Sequence, residues 1–161
     1  MTNTSSTRGF TLVETLIATG LLVTAIAGLA QLFASSVRFT RDSGQFGVAL
    51  AGAQHKLEAL RALRFAYDEG GEPATDFRLK ASPLAALSQD VAGYVDWLDA
   101  SGIVLPEAQG AEYVRRWRIT TIAADEPEMI AIDVCVFNVR SAAREPHDAD
   151  ACLAMVRVRQ P

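Results

Sequence analysis

Between residues 10 and 34 the only polar side chains are four threonines, Gln31 and one carboxylate, Glu14. As a helix these 25 residues cover ~37 Å at ~1.5 Å per residue, enough to cross a bilayer with some tilt. Further on, Phe46, Leu50, Ala53, Leu57, Leu60 and Leu63 recur at spacings of four and three, with Gln54, His55, Glu58, Arg61 and Arg64 between them, the pattern of an amphipathic helix. No proline precedes Pro73, so the spacing predicts one rod from residue 10 to about 65, with any bend near Gly44 or Gly47. It is expected to be apolar all round over 10–34 and amphipathic over 35–67. Asp68-Glu69-Gly70-Gly71-Glu72-Pro73 then stops it, since glycine ends a helix and proline forbids its restart.

Beyond a loop-rich stretch reaching about Asp90, the periodicity changes to two. Residues 94–98 and 103–105 flank the turn-prone Asp99-Ala100-Ser101-Gly102 and predict a hairpin. Longer strands are expected at 113–122 and 129–139, joined by Ala124-Asp125-Glu126-Pro127-Glu128, and at 151–159. Along 129–139 one face carries Ile130, Ile132, Val134 and Val136, the other Ala131, Asp133, Cys135 and Phe137, and the aliphatic face suits a helix laid across it. The fold class is therefore α+β: a long N-terminal helix, its first half membrane-spanning, packed on a C-terminal antiparallel sheet over residues 68–161.

Glu14 breaks the usual composition of a spanning helix, in which an acidic group costs about 2.5–3.5 kcal/mol at the centre and less toward an end. Its surroundings are Arg8-Gly9-Phe10-Thr11-Leu12-Val13-Glu14-Thr15-Leu16. Gly9 has no side chain, so a protease at the membrane surface can approach the backbone there closely. A polar leader ending in Arg8-Gly9, then Phe10-Thr11-Leu12-Val13-Glu14 and an apolar run, resembles the class III signal of type IV prepilins and of the pseudopilins of type II secretion. The resemblance covers roughly the first third of the chain.

It implies a leader at residues 1–9, removed by prepilin peptidase between Gly9 and Phe10, and N-methylation of the new Phe10 amine. Glu14 becomes the assembly carboxylate, paired with the Phe10 ammonium of a neighbouring copy where Coulomb attraction is poorly screened. The implied partners are prepilin peptidase, other pilins or pseudopilins and the inner-membrane assembly platform. The implied place is the inner membrane, crossed once with the C-terminal domain exported, and then a pilus or pseudopilus. The helix on its sheet is the pilin roll, and the similarity is to minor subunits, either PilV-like or minor pseudopilins. The proline usual in this helix is missing, although Gly20, Thr24 and Gly28 are weak helix formers that can take its place. Ala18, Gly20, Ala25, Ala27 and Gly28 thin the helix and suit close lateral packing.

Other readings of the same stretch stay open. Glu14 can snorkel to the headgroups of a plain single-pass anchor. Ala25-Ile26-Ala27 has the form of a signal-peptidase site, which would release a soluble domain, though Glu14 interrupts the expected hydrophobic core. Both lead to a membrane-anchored or secreted β-rich binding domain that never polymerises. Arg8 on one side and Arg38 with Arg41 on the other leave the positive-inside rule undecided.

The net charge is −4 over 161 residues, which gives no general attraction to nucleic acid, and the length beyond the apolar run accommodates one small domain. Arg115, Arg116 and Arg118 around Trp117 are the one basic cluster with an aromatic. Alternation splits it between two strand faces, so a solvated sheet face or subunit contact is expected rather than contacts to phosphates and bases. Trp97 and Trp117 read as core or interface anchors. His55 and His147 have no nucleophile, zinc spacing or phosphate loop near them, so neither an enzyme, a cofactor nor a metal site is expected. Cys135 and Cys152 lie on consecutive strands expected to be antiparallel neighbours. In an exported domain they can close a loop of about 18 residues, worth on the order of 3 kcal/mol, as many pilins do in this region. Two buried free thiols are the alternative, because register is not legible in the sequence.

Overall fold

The computed structural model describes residues 11–123, 126–140 and 145–161. One helix, α1 (Leu12–Arg61), is followed by β1 (Phe65–Tyr67), β2 (Pro73–Thr75), β3 (Val95–Leu98), β4 (Val104–Leu105), β5 (Tyr113–Ala123), β6 (Glu126–Asn138) and β7 (Ala151–Val158). The chain divides between Asp42 and Ser43 into two compact units, and α1 contributes to both. The arrangement is the α+β one that the patterning predicts.

In the second unit β1 and β2 form a small hairpin, and the other strands form an antiparallel sheet in the order β4-β3-β5-β6-β7. The expected 94–105 hairpin is present. Asp99 accepts hydrogen bonds from the Ser101 and Ile103 amides at 2.8 and 2.9 Å, and Gly102 supplies the positive φ of 82° that the turn requires. Ala124 and Asp125 of the expected β5–β6 connection lie outside the described residues.

Ile130, Ile132, Val134 and Val136 are buried against the last turns of α1, as their alternation requires. The helix meets them through small residues: Ala49, Gly52 and Ala53 are buried with Leu60, whereas Phe46, expected on this face, is 53% exposed. A Cβ on Gly52 would stand 3.1 Å from Leu98 Cδ1, so the sheet approaches the helix as closely as glycine permits. The opposite sheet face is also partly covered. Leu87, from a 3-10 turn at Leu84–Leu87, packs with Val114, Cys135 and Phe137. Beyond Val95, the first residue of β3, the Ser82 amide and hydroxyl bond the Ile119 carbonyl and Ser82 Oγ accepts from the Ile119 amide at 3.0 Å, so a loop replaces the missing strand.

The helix ends at Arg61, not near residue 65, and the Asp68–Pro73 sequence is the turn of the β1–β2 hairpin rather than the helix stop. Two causes are visible. Phe65 is a core residue at 3% exposure, placed in a strand. The guanidinium of Arg157 donates to the carbonyls of Leu60 at 2.9 Å and Leu63 at 3.0 Å, satisfying the helix terminus from a strand 94 to 97 residues away. The Asp68 carboxylate takes the Gly70 and Glu72 amides at 2.9 and 2.8 Å, which fixes the turn.

Candidate functional site

Gly9 and Phe10, the expected processing residues, lie outside the described residues. Glu14 stands in the first turn of α1. Its amide donates to Thr11 Oγ1 at 3.3 Å, and its Oε2 accepts from the Thr11 amide at 3.5 Å. This reciprocal pair is a capping box, a Thr-x-x-Glu spacing present in the sequence and missed there. Thr11 is therefore a further residue of the site, and Glu14 has a local partner as well as an unusual position.

From Leu12 to Phe39 the large apolar side chains stand free: Leu12, Leu16, Leu21, Leu32, Phe33 and Phe39 are each 66–79% exposed. The polar groups among them look inward to their own backbone. The hydroxyls of Thr15, Thr19, Thr24, Ser35 and Thr40 donate to carbonyls three or four residues earlier, at 2.8–3.1 Å. Hydroxyls satisfied this way can enter hydrocarbon without stranding a donor. By length and composition this helix is able to cross a membrane. Nothing stands within 4 Å of a Cβ built on Gly20 or Gly28, so both offer bare backbone to any helix laid alongside.

The basic cluster on β5 is not a solvated face. Arg115 and Arg116 are 2% and 4% exposed, and each arginine has its own carboxylate. Arg115, on the helix side, donates to Asp96 Oδ2 through Nε at 3.2 Å and Nη2 at 2.5 Å, and to the Gly52 carbonyl through Nη1 at 2.8 Å. Arg116, on the other face, bonds Asp90 at 2.8 Å and lies 5.0 Å from the Phe137 ring centroid. Arg118 bonds Asp133 at 2.8 Å. The expectation of a solvated face fails because β3 places Asp96 opposite Arg115 and because a layer covers each face of the sheet. Guanidiniums so occupied cannot meet phosphates without breaking these pairs.

Lys56, on the helix face toward the sheet, completes the network. Its ammonium lies 3.0 Å from Asp96 Oδ2 and 3.5 Å from the centroid of Trp117, which is 5% exposed. Burial pulls the Lys56 pKa below its usual value, against the opposing pull of Asp96. Trp117 is a core anchor as expected, and Trp97 is half-buried against the Leu87 cluster. Lys56, Asp96 and Asp90 had no signal in the sequence, because their roles depend on strand register and on which helix face turns inward.

Cys135 and Cys152 are directly opposed on β6 and β7 and form a disulfide, with Cα atoms 4.2 Å apart. His55 and His147 are both exposed, and the nearest acid to His147 is Asp148 at 3.4 Å. Among the described residues no group of three or more histidine, cysteine or acidic side chains is placed to hold a metal ion. No family model matches the chain, and no match is found among the curated proteins or the solved structures.

Proposed function

We propose that the chain is a structural subunit of a type IV pilus-like filament, a minor pilin or minor pseudopilin. It is inserted in the inner membrane with its C-terminal domain exported, cut between Gly9 and Phe10 by prepilin peptidase and packed by helix bundling with other pilins at the assembly platform. The observation that carries this reading is the exposed apolar part of α1, in which Glu14 is the sole ionisable side chain from residue 11 to residue 37. A carboxylate in that setting is stabilised by a cation from a second molecule, and the resemblance around Gly9 and Phe10 supplies one in the Phe10 ammonium. The disulfide supports an oxidising, exported location for the domain. The paired arginines leave nucleic acid without a free basic surface on β5.

The capping box favours one competing reading. If Glu14 only starts the helix, the chain is a membrane-anchored or secreted β-rich binding domain that does not polymerise. Glutamine at the third helical position preserves a capping box but removes the charge, so Glu14→Gln separates the two readings. Co-expression with prepilin peptidase should shorten the chain by the nine residues of the leader and leave N-methylphenylalanine at the new terminus. Glu14→Gln should still be processed yet fail to enter sheared filaments. An unprocessed chain, or a processed parent chain absent from sheared filaments, refutes the filament reading, and a Glu14→Gln chain incorporated like the parent refutes the assembly role of Glu14.

A further inference from the structure

β7 is the edge of the five-stranded sheet, and the direction in which its backbone groups point follows from two observations. Cys135 and Cys152 are a closely spaced antiparallel pair, the kind that exchanges no backbone hydrogen bonds, so Cys152 and every second residue after it turn N–H and C=O away from β6. Gln160 has the same parity and does so: its amide donates to the Phe65 carbonyl at 3.1 Å and its carbonyl accepts from the Tyr67 amide at 2.9 Å, a one-residue parallel bridge to β1. The chain thus extends this edge itself, at one position. At Ala154, Val156 and Val158 the outward groups meet no strand among the described residues.

Alongside that open edge lies a groove of about 550 Å³, bounded by Met155–Val158 on one side and the end of α1 with the following turn on the other. Its lining holds three arginines, Arg61, Arg64 and Arg157, and no acidic residue. Arg61 reaches only the exposed Glu58 at 3.5 Å, and Arg64 makes no ion pair among the described residues. Arg157 spends its donors on the two helix-terminal carbonyls, and burial followed by repulsion from Arg61 depresses its pKa. Val156 and Val158, each 60% exposed, share the other sheet face with Cys152, so the edge is apolar on the side away from these cations.

From the unpaired edge and the groove beside it, lined by arginines and by no acid, we propose that β7 receives an extended acidic segment of a partner polypeptide, added as a further strand over Ala154–Val158. Main-chain hydrogen bonds to the outward groups hold the segment, and its carboxylates pair with Arg61 and Arg64, with Arg157 adding its charge nearby. Five residues give an edge of about 17 Å, room for a five- or six-residue strand. An exposed edge of this kind otherwise invites uncontrolled pairing, and the arginine flank restricts it to acidic strands. The surface exists whether or not the chain polymerises.

The test uses the full chain in non-ionic detergent and a dye-labelled, end-capped hexapeptide of alternating valine and glutamate, followed by fluorescence anisotropy. Saturable binding is expected. It should weaken at least about tenfold in the Arg61→Glu and Arg64→Glu variants, and should fall steeply with salt. The same peptide N-methylated at alternate backbone nitrogens, and a valine–lysine peptide, should not bind. Absence of saturable binding overturns the proposal, as does equal binding of the N-methylated peptide, which would reduce the site to charge alone. Self-association of the chain that excludes the peptide overturns it in favour of a second copy in the groove.

Discussion

Arg115 and Arg118 stand three residues apart on one strand, share a side-chain type and each hold an aspartate, yet their replacement should have very different consequences. Side-chain exposure is 3% for Arg115 and 21% for its partner Asp96, against 35% and 26% for Arg118 and Asp133. Arg115→Met withdraws two donors from Asp96 and one from the Gly52 carbonyl, with nothing to replace them. Removing one member of a buried pair costs about 3–5 kcal/mol when the remaining charge is stranded. Asp96 keeps Lys56 at 3.0 Å and some access to water, which lowers the expectation to about 2–4 kcal/mol. For a unit of this size that is a fall of about 8–16 °C in Tm. Arg118→Met breaks a pair that water already screens and should cost no more than about 1 kcal/mol. Thermal and urea unfolding of the detergent-solubilised chain, followed by tryptophan fluorescence, gives both numbers, because Trp117 lies beneath Lys56 in this network. Equal losses for the two variants, or a loss under ~1 kcal/mol for Arg115→Met, would refute the assignment of Arg115 to the interior.

Reduction of the disulfide, or the Cys135→Ser/Cys152→Ser pair, should lower stability by about 3 kcal/mol by freeing a loop of this length in the unfolded chain, measured as a shift in the urea midpoint under reducing and non-reducing conditions. Asp76 has its pKa lowered to about 2 by the side-chain hydrogen bonds of Arg78. Between that value and its ordinary 3.8 the unfolded chain binds more protons, so the contribution of Asp76 is complete above 3.8 and is lost as pH falls through 2. Asp76→Asn should flatten the acid limb of Tm against pH in that window, and an unchanged limb would show that the Asp76–Arg78 contact does not persist in solution.

The strands and their hairpin were legible because one buried face imposes a period of two, and Ile130, Ile132, Val134 and Val136 display it without interruption. The long helix was legible from its apolar run and the absence of proline. Its end was not. Residues 62–67 carry no helix-breaking signal, and what stops α1 is tertiary: Phe65 is taken into the core on β1, and Arg157 arrives on β7, a contact across 97 positions to Leu60. The packed helix face holds at Leu50, Ala53, Leu57, Leu60 and Leu63, but it fails at Phe46 and omits Ala49 and Gly52, for a related reason. Hydrophobicity ranks Phe46 above Gly52, but close approach to Leu98 selects the smaller residue, and only tertiary contact reveals which governs. Arginine burial was illegible in the same way: a guanidinium reads as surface until a register puts Asp96 opposite it.

These pairs on the sheet also show how the domain treats charge. Lys56 and Arg115 meet Asp96, Arg116 meets Asp90 and Arg118 meets Asp133. Against that practice two places differ, and with opposite sign. Glu14 is an anion within a run of apolar residues that holds no cation, and the groove beside β7 gathers arginines with no acid in its lining. Uncompensated charge is tolerable in open water and costly once a surface is covered. Covering either place with an apolar partner alone would therefore be unfavourable, whereas a partner bringing an ammonium to the first or carboxylates to the second removes the penalty. On the two proposals, charge balance would discriminate among partners at both places, rejecting those that match only the hydrophobic pattern.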